Sequence, residues 1–117
     1  MRWSVLALAF VWPLAAAAQS HSPRECGEGS DFIRNAARAR DNGVTREFFV
    51  GRLEEDLLTI RAFPPALRWF VHNPEDEQFL RTEVETVFDA PADSERHRAE
   101  FLERCVKRAE RLSAPNT

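Results

Sequence analysis

The chain has 117 residues, 44% of them hydrophobic and 30% charged, with 16 basic residues against 19 acidic and a net charge of −3. That length suits one small domain. Both signs of charge are spread along the chain, so no cationic tract points to nucleic acid.

The first twenty residues, MRWSVLALAFVWPLAAAAQS, follow the three-part plan of a secretory leader. Arg2 supplies the positive start, an apolar stretch runs from Trp3 to Leu14, and Ala16-Ala17-Ala18 offer the small residues of a cleavage site. Residues 1–18 are therefore expected to be removed, leaving 99 residues that begin at Gln19. Losing Arg2 lowers the basic count from 16 to 15 and takes the net charge from −3 to −4. The apolar part falls short of the roughly 20 residues of a membrane span, and no second apolar run follows. The protein is thus expected in the periplasm or secreted, without a stable membrane span after cleavage. Residues 19–29, with Gln, Ser, His, Pro and two glycines, read as a loose N-terminal arm tied down at Cys26.

No stretch shows two-residue alternation rich in β-branched side chains, and every periodic segment is helical. A first helix is expected from Ser30 or Asp31, with Phe32, Ile33, Ala36 and Ala37 as its apolar stripe, ending at Asn42-Gly43. Thr45 caps a second helix over 46–63, with Phe49, Leu53, Leu57 and Ile60 on its core face. The short turn between them predicts an antiparallel hairpin. Gly51, Leu58 and Ala62 form a second, narrower stripe that would admit a close neighbour. Pro64 and Pro65 end the second helix. Asn73-Pro74-Glu75-Asp76 is a strong helix start, and the helix it opens carries Leu80, Val84, Val87 and Phe88. Asp93 or Ser94 caps a last helix with Phe101, Leu102, Cys105, Ala109 and Leu112 on one face. The fold class is all-α: a compact bundle of four main helices plus one short linking helix over 65–72, closed by one disulfide. The helical domain spans residues 30–112 and residues 113–117 form a tail.

The linking segment raises the sharpest question. On a helical wheel Leu67, Phe70 and Val71 cluster while Trp69 projects nearly opposite. One face cannot bury all four. Either the segment is sandwiched between two layers, or Trp69 is partly exposed and, with Arg68, serves as an anchor for a partner.

Cys26 and Cys105 are the only cysteines. An even count in an exported chain predicts a single bridge, and they lie too far apart in sequence for a C-x-x-C redox pair. His21 stands third from the expected mature start, where an amine, two amide nitrogens and an imidazole can wrap Cu(II) or Ni(II) in a square plane. His97 has Asp93 and Glu100 within a turn, which is either the beginning of a metal site or a solvated ion pair, and His72 is expected to face solvent. Arg40 and Arg98 fall within apolar stripes, so each must snorkel or find a carboxylate. Glu47, or a carboxylate of a later helix, is the expected partner of Arg40. Asp41 sits against the dipole of its helix end and is expected to touch a neighbouring helix start. The serines lie in the arm, at caps or in the tail, with no G-x-S-x-G, no phosphate-cradling loop and no H-E-x-x-H. No enzyme activity and no cofactor are expected.

A leader, a cysteine ahead of the first expected helix, the helix end Ala36, Ala39, Arg40, Asp41, Gly43 and a cysteine in the last helix together resemble small exported α-helical proteins of proteobacteria. The resemblance implies a helical, disulfide-closed, periplasmic or secreted protein and carries over no catalytic residue. Three functions remain open: an interaction or envelope-accessory module acting on a protein partner, a metal-handling protein, and an acid-stress chaperone.

Overall fold

The computed structural model describes residues 21–114; the expected leader and residues 115–117 lie outside them. Four α-helices follow one another: α1 (Pro23–Asp41), α2 (Arg46–Ile60), α3 (Pro74–Asp89) and α4 (Ser94–Ser113). A single 3-10 turn, Pro65–Leu67, interrupts the connector between α2 and α3. The described residues contain no strand, and the protein is all-α and disulfide-closed as expected. No described helix is long and apolar enough to cross a membrane.

The helix starts follow from their caps. Thr45, Asn73 and Asp93 each accept a bond from the backbone N–H three residues on. Gly43, at φ 94°, makes the tight turn out of α1. Residues 23–29 of the expected loose arm are instead the first two turns of α1. Ser22 accepts from the Glu25 amide while the Glu25 carboxylate accepts from the Ser22 amide, and Pro23 fills the first helical position. This capping box starts the helix well ahead of Ser30.

α1 packs mainly along α4. The two run antiparallel, with Cys26 bonded to Cys105 at one end and Arg34 and Arg38 near Glu95 at the other. Their seam buries Cys26, Ile33, Ala36, Ala37, Phe101 and Cys105. Gly29 makes the close approach possible, since a Cβ there would lie 2.8 Å from the Phe101 ring and 3.0 Å from Phe70. α2 packs against α3, also antiparallel, and charges stitch the pair: Arg46 with Glu85 and Asp89, Arg81 with Glu54, and Arg61 with Glu77. The expected α1–α2 hairpin has its short turn, but the two helices diverge beyond it because the main partner of α2 is α3. Likewise no neighbour approaches Gly51, and Leu58 faces outward.

Closing a loop of 79 residues with the Cys26–Cys105 bridge contributes about 4–5 kcal/mol in chain-entropy terms. The two N-terminal glycines should respond oppositely to alanine. Gly27→Ala meets open space and should raise the melting temperature through helix propensity, by up to ~1 kcal/mol. Gly29→Ala drives a methyl into the buried Phe101 ring, an overpacking cost of about 1–3 kcal/mol, and should lower it. Thermal melts of the two variants check this, and equal shifts would contradict the packing described.

Candidate functional site

The connector between α2 and α3 is where the polar chemistry of the molecule gathers. It is not the expected helix over 65–72. Beyond the 3-10 turn the backbone extends at Arg68, and the wheel argument fails with it: Leu67 is 71% exposed, whereas Phe70 and Val71 are buried in the core as expected. Arg68 holds the connector's shape. Its guanidinium donates to the carbonyls of Phe63 (2.8 Å), Arg61 (3.1 Å) and His72 (3.4 Å), so each of its three nitrogens has a bond within its own connector.

Below the connector lies a largely buried charge network. Asp76, in the first turn of α3, is fully buried. Its carboxylate accepts from the His72 amide (3.1 Å), faces Nε2 of His21 at 3.4 Å and meets Arg108 of α4 at 2.8 Å. The Arg108 contact is short but off the line of an N–H···O bond, so it acts as an ion pair. The same guanidinium sits 4.9 Å above the Phe79 ring. Burial pushes the Asp76 carboxyl up, but His21, Arg108 and the His72 amide together hold it below its ordinary value.

His72 is not the solvent-facing residue expected. Its Nδ1 donates to the Pro65 carbonyl (2.8 Å) and its Nε2 meets the Glu25 carboxylate of α1. Both neighbours are acceptors, which suits the doubly protonated ring. Burial pulls the His72 pKa down, but the Pro65 carbonyl and Glu25 outweigh it and raise the value. Glu25 moves oppositely: burial raises it, while bonds from His72 and Ser22 bring it below its ordinary range.

His21 is also displaced from its expected role. Its ring is buried, stacked on Phe70 at 3.9 Å, with Nε2 donating to the Phe70 carbonyl (2.6 Å) and Nδ1 3.7 Å from Cys105 Sγ. The imidazole that a square-planar Cu or Ni site would use is buried in the fold, and residues 19 and 20, whose backbone nitrogens that site also needs, lie outside the described residues. His97 likewise turns inward, Nε2 lying 3.0 Å from the Ala90 carbonyl and 3.4 Å from Arg40, away from the surface carboxylates expected around it.

Arg40 is well buried, as expected of a stripe arginine, with 18% of its side chain exposed. Neither Glu47 nor a later carboxylate is its partner. It donates to the carbonyls of Val87 (2.7 Å), Ala92 (2.7 Å) and Ala90 (3.3 Å) and to the adjacent Asp41 (2.9 Å). Asp41 therefore answers Arg40 and not a neighbouring helix start. Arg98 lies at the flank of the α1–α4 seam, 3.3 Å from Asp31 and 3.9 Å from Glu95.

Above the connector is an apolar groove of about 420 Å³ between the diverging α1 and α2. Phe32, Leu53, Leu57 and Ile60 floor it, Trp69 walls it, and Asp56 is its one charged lining residue. Trp69 is partly buried, edge-on to Phe32 at 5.5 Å. On its other side a polar groove runs past Arg24, Glu25, Arg68 and His72, so the indole divides the two.

No protein-family model, curated protein or solved structure matches this chain.

Two predictions rest on this geometry. Arg40→Ala leaves the Val87 and Ala92 carbonyls without their donor and should cost about 1–3 kcal/mol in denaturant unfolding; a loss within ~0.3 kcal/mol would contradict the bonds described. For the Glu25–His72 pair, a lowered carboxyl stabilises above its ordinary 4.5 and is lost as pH falls through its folded value. A raised imidazole stabilises fully below 6.5 and is lost as pH climbs through its own folded value. The pair should therefore contribute most between pH 4.5 and 6.5. Thermal stability should fall on the alkaline side, and His72→Gln should flatten that decline.

Proposed function

We propose that this chain is an exported helical interaction module, without catalysis of its own, that takes an apolar side chain of a partner protein into the groove between α1 and α2. The observation that carries the reading is the divergence of those helices, which leaves the partly buried Phe32 and Ile60, above the core residues Leu53 and Leu57, lining a cleft with Trp69 as its wall. Tryptophan in such a position supplies a large rigid contact area and is enriched among binding hot spots. Phe63 and Leu67, on the same connector, stay exposed. Asp56, the acid of the groove, favours a partner whose apolar anchor lies beside a basic residue. The secretory leader read in the sequence and the Cys26–Cys105 bridge support an oxidising compartment, periplasmic or extracellular, in keeping with the resemblance to small exported proteobacterial helical proteins.

Selection from a displayed peptide library, with binding followed by calorimetry, tests this. Selected peptides should carry Leu, Met or Phe next to Arg or Lys. Their binding should change the emission of Trp69, read as the difference between the wild type and Trp69→Phe. Trp69→Ala should weaken binding roughly 30-fold or more, a hot-spot loss of about 2 kcal/mol. Its own stability cost should be about 1–2 kcal/mol, short of the roughly 3–5 kcal/mol of a fully buried aromatic. Peptides selected with no apolar anchor, or an unchanged affinity in Trp69→Ala, would overturn the proposal.

A further inference from the structure

His21, Cys26 and Cys105 lie together in the core, with one ligand atom of each within 4.8 Å of the others. We propose that the two cysteines, once reduced, form with His21 a three-ligand site for a soft divalent cation of the zinc class, gated by the disulfide. The site is independent of the α1–α2 groove and uses none of its residues.

Four observations converge. First, Nδ1 of His21 faces Cys105 Sγ at 3.7 Å, close to the ~3.5 Å edge that tetrahedral Zn–S and Zn–N bonds of about 2.3 and 2.0 Å require. Second, the opposite nitrogen is already held. Nε2–H donates to the Phe70 carbonyl at 2.6 Å and faces Asp76 at 3.4 Å. That arrangement fixes the tautomer and aims the Nδ1 lone pair at the sulfurs, as partners of metal-bound histidines do. Third, two thiolates and a neutral imidazole cancel the charge of a dication, which a buried site needs. The neighbouring Asp76 is already matched by Arg108. Fourth, a cavity of about 240 Å³, lined by His21, Cys26 and Glu110 among others, opens onto the cluster. It gives an entry path and leaves the fourth position to water. The expected square-planar site at the chain start used the same histidine with backbone nitrogens; the proposed site uses side chains alone.

The chemistry balances with a thiol reductant. Two thiols of a dithiol donor deliver two electrons and two protons, the Cys26–Cys105 bond breaks, and the donor leaves as its own disulfide. The cation then replaces the two thiol protons, which are released to solvent. Reoxidation reverses both steps and expels the cation.

Co²⁺ added to the full-length chain, reduced anaerobically with a phosphine, is the test. The expected result is thiolate-to-cobalt charge transfer saturating at one equivalent, with the visible bands of tetrahedral cobalt. Two protons should be released per metal, Zn²⁺ should displace the cobalt, and the oxidised protein should give no signal. Cys26→Ser with Cys105→Ser should abolish binding. His21→Gln should weaken it by roughly 10–100-fold or more. In the wild type itself, one hyperfine-shifted exchangeable N–H should report the Nε2 proton of a metal-bound His21, a readout that does not depend on any variant folding. If reduction alone loosens the helices, cobalt should restore the helical circular dichroism. Absence of one-equivalent charge transfer in the reduced wild type overturns the proposal. So does a cobalt spectrum and affinity unchanged in His21→Gln, or a wild-type complex lacking the shifted N–H.

Discussion

One buried carboxylate organises this molecule. Asp76 draws four segments to a single point: His21 just ahead of α1, the His72 amide of the connector, Arg108 near the end of α4, and the first turn of α3 that carries it. Removing a carboxylate from water costs several kcal/mol, so the site is tolerable only when its partners arrive together and the positive end of the α3 dipole assists. That requirement fixes where the connector crosses the bundle. With the connector fixed, Phe70 and Val71 enter the core and Trp69 comes to stand over Phe32. The apolar groove is thus placed by a polar constraint below it.

Local signals in the sequence carried most of the architecture. Thr45, Asn73 and Asp93 cap the helices expected of them, and Gly43 turns the chain where Asn-Gly indicates. The start of α1 is equally legible: Ser22-Pro23-Arg24-Glu25 is a capping box with proline at its first helical position, obscured by the glycines that follow it. Gly29 loosens nothing; it makes room for an aromatic ring from α4. Asp76 and Glu83 sit in step with Leu80, Val84 and Val87 on the buried side of α3. The place of these acids in an apolar stripe is as visible in the sequence as that of Arg40 and Arg98. The connector is different. Its path depends on the bonds of His72 to Pro65 and to Glu25, the latter 47 residues away in sequence, and no local period encodes which way Leu67 faces.

Arginine takes over work that glycine or asparagine commonly does at helix ends. Arg40 gathers the carbonyls of Val87, Ala90 and Ala92 where α3 gives way to α4. Arg68 gathers those of Arg61, Phe63 and His72 after α2. A planar fork of five donors can bind several carbonyls at once, which a lysine ammonium on a flexible stem does poorly. The chain's single lysine, Lys107, makes only a surface pair with Glu103. The two ends of the α1–α4 seam are also alike in kind: His97 with Arg40 closes one, His21 with Arg108 the other, and in each the imidazole rests on a backbone carbonyl. Polar plugs of this sort end the apolar stripe without leaving carbonyls stranded.

The bridge between Cys26 and Cys105 has a mechanical meaning as well. It joins the chain near the start of α1 to the chain near the end of α4, enclosing a 79-residue separation. A pull applied between points outside that loop runs along the backbone to one sulfur, across the S–S bond, and out along the other arm. The groove, the connector and the greater part of all four helices bear no share of the load while the bond is intact. Tension that would unzip an uncrosslinked helical bundle can strip only what lies outside the cysteines, three residues of α1 and eight of α4, with His21 and Arg108 among the residues first exposed to the pull, while the chain between the sulfurs is shielded from it.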